Sequence, residues 1–394
     1  MSLIVDGTTG LTLPGSSSGT TVLQAAASAS GTLTLPATTD TLVGKATTDT
    51  LTNKTLTAAA LGSSTATTQT AGDNSTKVAT TAYADAASAA TAPQGRLTLT
   101  SATPVLTATV SAATTIYYAL YTGNKIPVYS GSAWAMTTFT ELSNATAQSS
   151  TGSAGPAAVA NNSNYDLFVW SNSGTLTLTR GPLWTSGTGR GTGAGTTEIS
   201  RVLGIWSNTV AITNGPGAGL GTYVGTVRSN GSATIDFIFG AAAAGGTASV
   251  LGVFNAYNRV PVAARVQDTT SSWAYATNTW RAANASNTNR ISYIDGLAEV
   301  PAFVAYTVGA NGGAGNNVGI GINRDSTSAT PSQVAIASAG DFDYITPTSS
   351  DGFAPSLGFH YFQAMESVTG SSTFYSAVYA VGVYSQLLSA QFSM

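Results

Sequence analysis

The 394-residue sequence contains no cysteine and a single histidine, His360. No disulfide can form and no Cys/His zinc site can be assembled, so order has to come from burial, hydrogen bonding and assembly. Charge is scarce as well: Asp, Glu, Lys and Arg make up 8% of the chain, against roughly 25% in an ordinary soluble domain. The 14 Lys and Arg are scattered among 17 Asp and Glu, which excludes the clustered basic surface that nucleic-acid binding needs. Long apolar runs are missing too. The longest small-apolar stretch, around Phe237 to Gly246, falls far short of the ~20 residues of a membrane span. Met1–Asp6 carries no basic segment, so synthesis in a cytoplasm without Sec-type export is expected. A net charge of −3 gives little like-charge repulsion, and self-association is the natural expectation.

What is abundant is small and polar: 43 glycines, with Ser, Thr and Ala filling much of the rest. Residues 1–92 contain no Arg, Phe or Trp, and their one aromatic is Tyr83. Short echoes run through this segment, Leu11-Thr12-Leu13-Pro14 returning as Leu33-Thr34-Leu35-Pro36 and 37–42 returning as 46–51. The Leu/Thr alternation has the two-residue period of strands. Such strands have an apolar side too thin to bury itself, so residues 1–72 are expected to form an attachment or shaft segment ordered by neighbouring chains. The alternative is a disordered Ser/Thr/Ala linker. Residues 73–93 read as one Ala-rich helix: Asp73, Asn74 and Ser75 offer N-caps, Val78, Ala82, Ala86 and Ala89 share a stripe, and Pro93 stops it.

The remainder reads as mainly β, with two β-sandwich domains expected, a small one at 94–186 and a larger, jelly-roll-like one at 187–394. Predicted strands include Leu97–Thr100, Val105–Val110, Ile116–Tyr121, Ile126–Tyr129, Leu167–Trp170, Tyr223–Val227 and Ile235–Phe239, with a hairpin from Trp273 to Trp280. The tracts Gly187–Gly195 and Gly309–Gly321 lack the Gly-Lys-Ser/Thr ending of a phosphate loop and read as flexible surface turns.

Asp73-Asn74-Ser75-Thr76-Lys77-Val78-Ala79-Thr80-Thr81-Ala82-Tyr83, preceded by Thr50-Leu51-Thr52-Asn53-Lys54-Thr55-Leu56-Thr57, resembles segments of tailed-bacteriophage tail fibre and related virion proteins. Gly95-Arg96-Leu97-Thr98-Leu99-Thr100, with Ile116-Tyr117-Tyr118 and 126–134, resembles a β module of phage structural proteins. So do Asn255-Ala256-Tyr257-Asn258-Arg259-Val260 and 268–275. The resemblance implies a place in a virion, with residues 1–92 anchored to other virion proteins, homotrimeric assembly, and a C-terminal β region that meets a host-surface glycan or protein. A head fibre or capsid decoration protein would use the same anchors. No catalytic motif is carried over.

Chemistry has few candidates. His360 lies among aromatics in Gly358-Phe359-His360-Tyr361-Phe362 and reads as packed rather than as a serine activator. Asp341, Asp343 and Glu366 read as loop carboxylates rather than an acid/base pair or a calcium or magnesium site. A polysaccharide-degrading tailspike is the less favoured reading, and the chain is expected to be no enzyme and to need no cofactor or metal. Trp273, Tyr275 and Trp280 are the candidates for receptor contact, because exposed aromatic rings stack on sugars, although large aromatics in a β-sandwich are more often core.

Overall fold

The computed structural model describes residues 92–148, 155–313, 315–338, 344–376 and 386–394, with 11–14, 18–23, 55, 65–69, 75 and 77–81. The chain divides into two compact units, Met1–Thr65 and Ala66–Met394. In the first, Leu11–Pro14 and Thr20–Leu23 pair antiparallel, with Leu11 opposite Leu23 and Leu13 opposite Thr21. This is the strand character that the Leu/Thr period predicts. The echoes at 33–36, 37–42 and 46–51 lie outside the described residues, as does most of the Ala-rich helix expected at 73–93. Among the described residues there is no helix of seven residues or more, and none long and apolar enough to cross a membrane.

The second unit is mainly β, and its eight-stranded and five-stranded sheets pack face to face as a sandwich. One sheet runs in the order Val334–Ser338, Asn317–Arg324, Gly358–Val368, Arg290–Asp295, Ser249–Leu251, Ile235–Ile238, Val110–Ala113. The other runs Ala242–Ala243, Pro261–Asp268, Leu387–Ser393, Ala302–Thr307, Thr348–Phe353. The strand Pro261–Asp268 shows why they face each other. Val262, Ala264 and Val266 are buried while Ala263 and Arg265 are exposed, the alternation of a strand with one wet face. Between the sheets Tyr293 meets Phe392 at 4.8 Å and Phe353 meets Phe362 at 4.6 Å between ring centroids. Two pairings, Ser249–Leu251 with Arg290–Asp295 and Ala242–Ala243 with Pro261–Asp268, are parallel. They depart from the all-antiparallel order of a jelly roll, because each needs a crossover instead of a hairpin.

The segments 94–186 and 187–394 share sheets and core. Asn164–Asn172 pairs with Thr222–Arg228 across the Gly187–Gly195 tract, and one apolar cluster runs from Leu97 to Met394. Polar side chains lock the ends of this span together. The Asn255 amide brackets Leu97, accepting from its N–H at 2.6 Å and donating to its carbonyl at 3.3 Å. Asn258, whose φ of 53° is one Asn tolerates well, donates to the carbonyls of Pro93 at 2.7 Å and Gly95 at 3.2 Å. Arg96, 4% exposed, donates to the carbonyls of Pro104 at 2.9 Å, Met394 at 3.0 Å and Asn258. Burial lowers its pKa to about 10. Gly225 completes the joint: a Cβ there would stand 2.1 Å from the Phe254 carbonyl oxygen and 2.8 Å from the Leu97 side chain.

Three expectations are corrected. Val105–Thr109 is not a strand; pairing begins only at Val110, and Leu106 packs on the core from a loop. Trp273–Trp280 is not a hairpin: Ser272–Tyr275 pairs with Ser372–Tyr375 and Arg281–Ala282 with Gly358–Val368. The second glycine tract is a turn only at its middle, around Gly313 and Gly315; Gly309–Asn311 is a strand, and Asn317–Arg324 is a largely buried inner strand. Its glycines admit close neighbours, Gly319 beneath Trp280 and Gly321 beneath Pro331.

Asn255→Ala is expected to strand the Leu97 N–H and carbonyl and to cost about 1–3 kcal/mol in urea unfolding. Asn287→Ala, at an exposed site, should stay within about 0.5 kcal/mol of the parent.

Candidate functional site

Trp273 is buried; its indole Nε1 donates to Glu366 Oε2 at 2.8 Å and its ring stacks on Phe374 at 5.7 Å. It is a core residue, turned away from any receptor. Tyr275 is half-buried, with the Arg281 guanidinium 3.8 Å from its ring centroid and its hydroxyl bonded to Thr279. Trp280 is half-buried over Gly319. His360 has both nitrogens engaged, Nδ1 with Asp325 Oδ2 at 2.6 Å and Nε2 with the Leu357 carbonyl at 3.1 Å. Neither nitrogen is left to activate a serine. Asp341 and Asp343 lie outside the described residues.

Glu366 and Asp268 are both 0% exposed and are bridged by Asn284. Glu366 Oε1 accepts from Arg281 Nε at 2.8 Å and from the Asn284 N–H at 3.2 Å, while Asn284 Nδ2 donates to Asp268 Oδ2 at 2.8 Å. Asp268 also accepts from Asn289 Nδ2 at 3.1 Å and, at 2.8 Å each, from the N–H groups of Gly245 and Thr270. The two carboxyls shift in opposite directions. Burial raises the Glu366 pKa despite Trp273 and Arg281; burial also pushes Asp268 up, but donors from Asn284, Thr270 and Asn289 outweigh it and leave it lowered. Opposed carboxyls can divide acid and base roles where a substrate reaches them. Here no surface does, and the pair anchors strands.

A second buried pair behaves alike. Arg190 grips Asp166 in a bidentate fork, Nε to Oδ2 at 2.7 Å and Nη2 to Oδ1 at 3.0 Å. Thr197 and Thr226 donate to the same carboxylate at 2.8 and 2.6 Å. Arg190 stands in the Gly187–Gly195 tract, so this ion pair pins the tract to the strand Asn164–Asn172. Burial alone would lower the Arg190 pKa, but the Asp166 charge outweighs it and leaves it raised.

A groove of about 440 Å³ lies on the outer face of the five-stranded sheet. Strand register builds it in two rows. Ala263, Gln391, Phe303 and Gly352 stand side by side across four strands, and Arg265, Ser389, Ala305 and Ser350 form the next row. Small side chains floor the second row, the Phe303 ring and Gln391 wall one side, and Arg265 closes an end. Phe303 is 64% exposed. A Cβ on Gly352 would meet its ring at 3.3 Å, so glycine there lets the ring lie across the neighbouring strand. No protein-family model matches this chain, and no curated protein matches it.

Volume and mixed lining suit a small ligand held by an aromatic face and a few polar groups. Among the described residues, no cluster of three His, Cys, Asp or Glu is placed to hold a metal ion. Sequence reasoning missed Phe303 and Arg265. In Ala302-Phe303-Val304-Ala305-Tyr306-Thr307 either face of the strand carries an aromatic, so the period gives no side. Only the pairing with Leu387–Ser393 and Thr348–Phe353 turns Phe303 outward.

The Asp268 value in the folded chain lies below that of an unfolded aspartate. Its stabilisation is therefore complete above the ordinary aspartate range and is lost as pH falls through the folded value. Asp268→Asn should cost about 1–3 kcal/mol at neutral pH and flatten that acid-side loss, as read by urea unfolding across the acid range.

Proposed function

We propose that this chain is a structural subunit of a bacteriophage particle, a trimeric tail fibre or spike protein whose C-terminal β unit contacts the host surface. The observation that carries the reading is the make-up of the unit Met1–Thr65. It separates from the rest of the chain and contains no aromatic residue, so it has too little to bury for a core of its own. Partner surfaces, other virion proteins and two further copies of the chain supply what it lacks. Of the phage-like segments, 50–57 and 73–83 fall in this unit and just after it, where an anchor belongs. The β unit is suited to the outward end, because its stability comes from internal burial and buried hydrogen bonds, not from disulfides.

A head fibre or capsid decoration protein would use the same anchor and is the alternative within the class. A β-helical, polysaccharide-degrading tailspike is supported less. Stacked parallel strands would dominate it, and the described pairings are antiparallel except for two. Nucleic acid and membrane are not proposed as partners, and purified chain is expected to leave host-surface glycans unhydrolysed.

Antibodies to the chain should decorate purified particles at fibres or spikes in electron micrographs, and mass spectrometry should find it in multiples of three per attachment site. Labelling on capsid faces alone would favour the decoration reading, and absence from washed particles would end the virion reading.

A further inference from the structure

The outer-face groove has an occupant its chemistry can select. A phenyl ring left in water forgoes about 1.5–3 kcal/mol of burial, and Phe303 does so at the wall of a cavity, not on an isolated convex surface. Around it stand groups that hydrogen-bond without bulk: the Ser389 and Ser350 hydroxyls on the floor and the Gln391 amide beside the ring. An aromatic face with hydroxyl and amide groups close by matches a sugar ring, which offers C–H groups to the aromatic and hydroxyls to the polar partners.

Charge narrows the class. Arg265 is exposed, and its guanidinium has neither an ion-pair nor a hydrogen-bond partner among the described residues. Nearly every other arginine of the β unit is committed: Arg96, Arg180 and Arg190 inside, and Arg259 and Arg281 to carboxylates. By register Asp351 shares its face with the buried Val304, Ala390 and Ala264 and is bonded to Ser332 at 2.9 Å, so among the described residues of the groove's outer face the Arg265 charge stands alone. An anionic ligand is drawn to the Arg265 end of the groove.

We infer that this groove binds a carboxylate-bearing oligosaccharide, with one sugar stacked on Phe303 and the carboxylate paired with Arg265. The inference rests on the host-contacting role proposed above and names its ligand class. Particle labelling tests that role separately, so either can fail while the other stands.

The test uses the full-length chain on an immobilised panel of uronic-acid and sialic-acid oligosaccharides, each beside its neutral counterpart. The parent should bind at least one acidic oligosaccharide tenfold or more tightly than its neutral partner. Arg265→Gln should erase that preference while neutral binding holds, and Phe303→Ala should weaken both by tenfold or more, each variant keeping the parent thermal midpoint. Because Arg265 is exposed, its variant remains informative should Phe303→Ala fold poorly. No retention on the acidic panel, or retention unchanged in Arg265→Gln, overturns the inference. A fall in solution mass on Phe303→Ala also overturns it, because the face is then a contact between copies of the chain.

Discussion

The β unit depends on polar side chains that reach between segments far apart in sequence. Asn255 and Asn258 satisfy the backbone of the strand Gly95–Thr98, and Arg96 reaches from that strand to the last residue of the chain. Backbone groups buried at such a joint must find partners, since an orphaned one costs about 1–3 kcal/mol. With ionic groups rare, amides and a few arginines meet that demand. The joint makes 94–186 and 187–394 one packed body, despite the glycine-rich tract between them.

Burying charge is costly unless every donor and acceptor is met. Asp166 with Arg190, and Glu366 with Arg281, meet the condition through added hydroxyl, indole and backbone donors. These few charges therefore act as rivets between strands. The outer face of the five-stranded sheet carries hydroxyls, small side chains, Arg265 and the exposed Phe303 groove.

Much of the β character was legible in sequence. The strands around Ile116, Ile126, Leu167, Tyr223 and Ile235 follow from β-branched and aromatic runs bounded by turn residues, and they are found where expected. Pairing was not legible, because period specifies a face but not a partner. Trp273 could be core or ligand-stacking on sequence alone, because local sequence does not show that Glu366, 93 positions away, receives its indole N–H. The tract Gly309–Gly321 looked like a turn because glycine marks both flexibility and close packing, and only Trp280 and Pro331 lying on it decide which. The resemblance motifs carried more than they revealed: Arg96, Asn255, Asn258 and Asp268 all belong to them, and all are hubs of buried hydrogen bonds.

The most direct test of this account is hydrogen exchange followed by mass spectrometry across a urea series, reading peptides that cover Gly95–Thr98 and Leu387–Ser393. If the clamp joins the first and last β segments into one cooperative body, both lose protection at the same urea concentration. Separate midpoints, with one strand opening while the other stays protected, would contradict it.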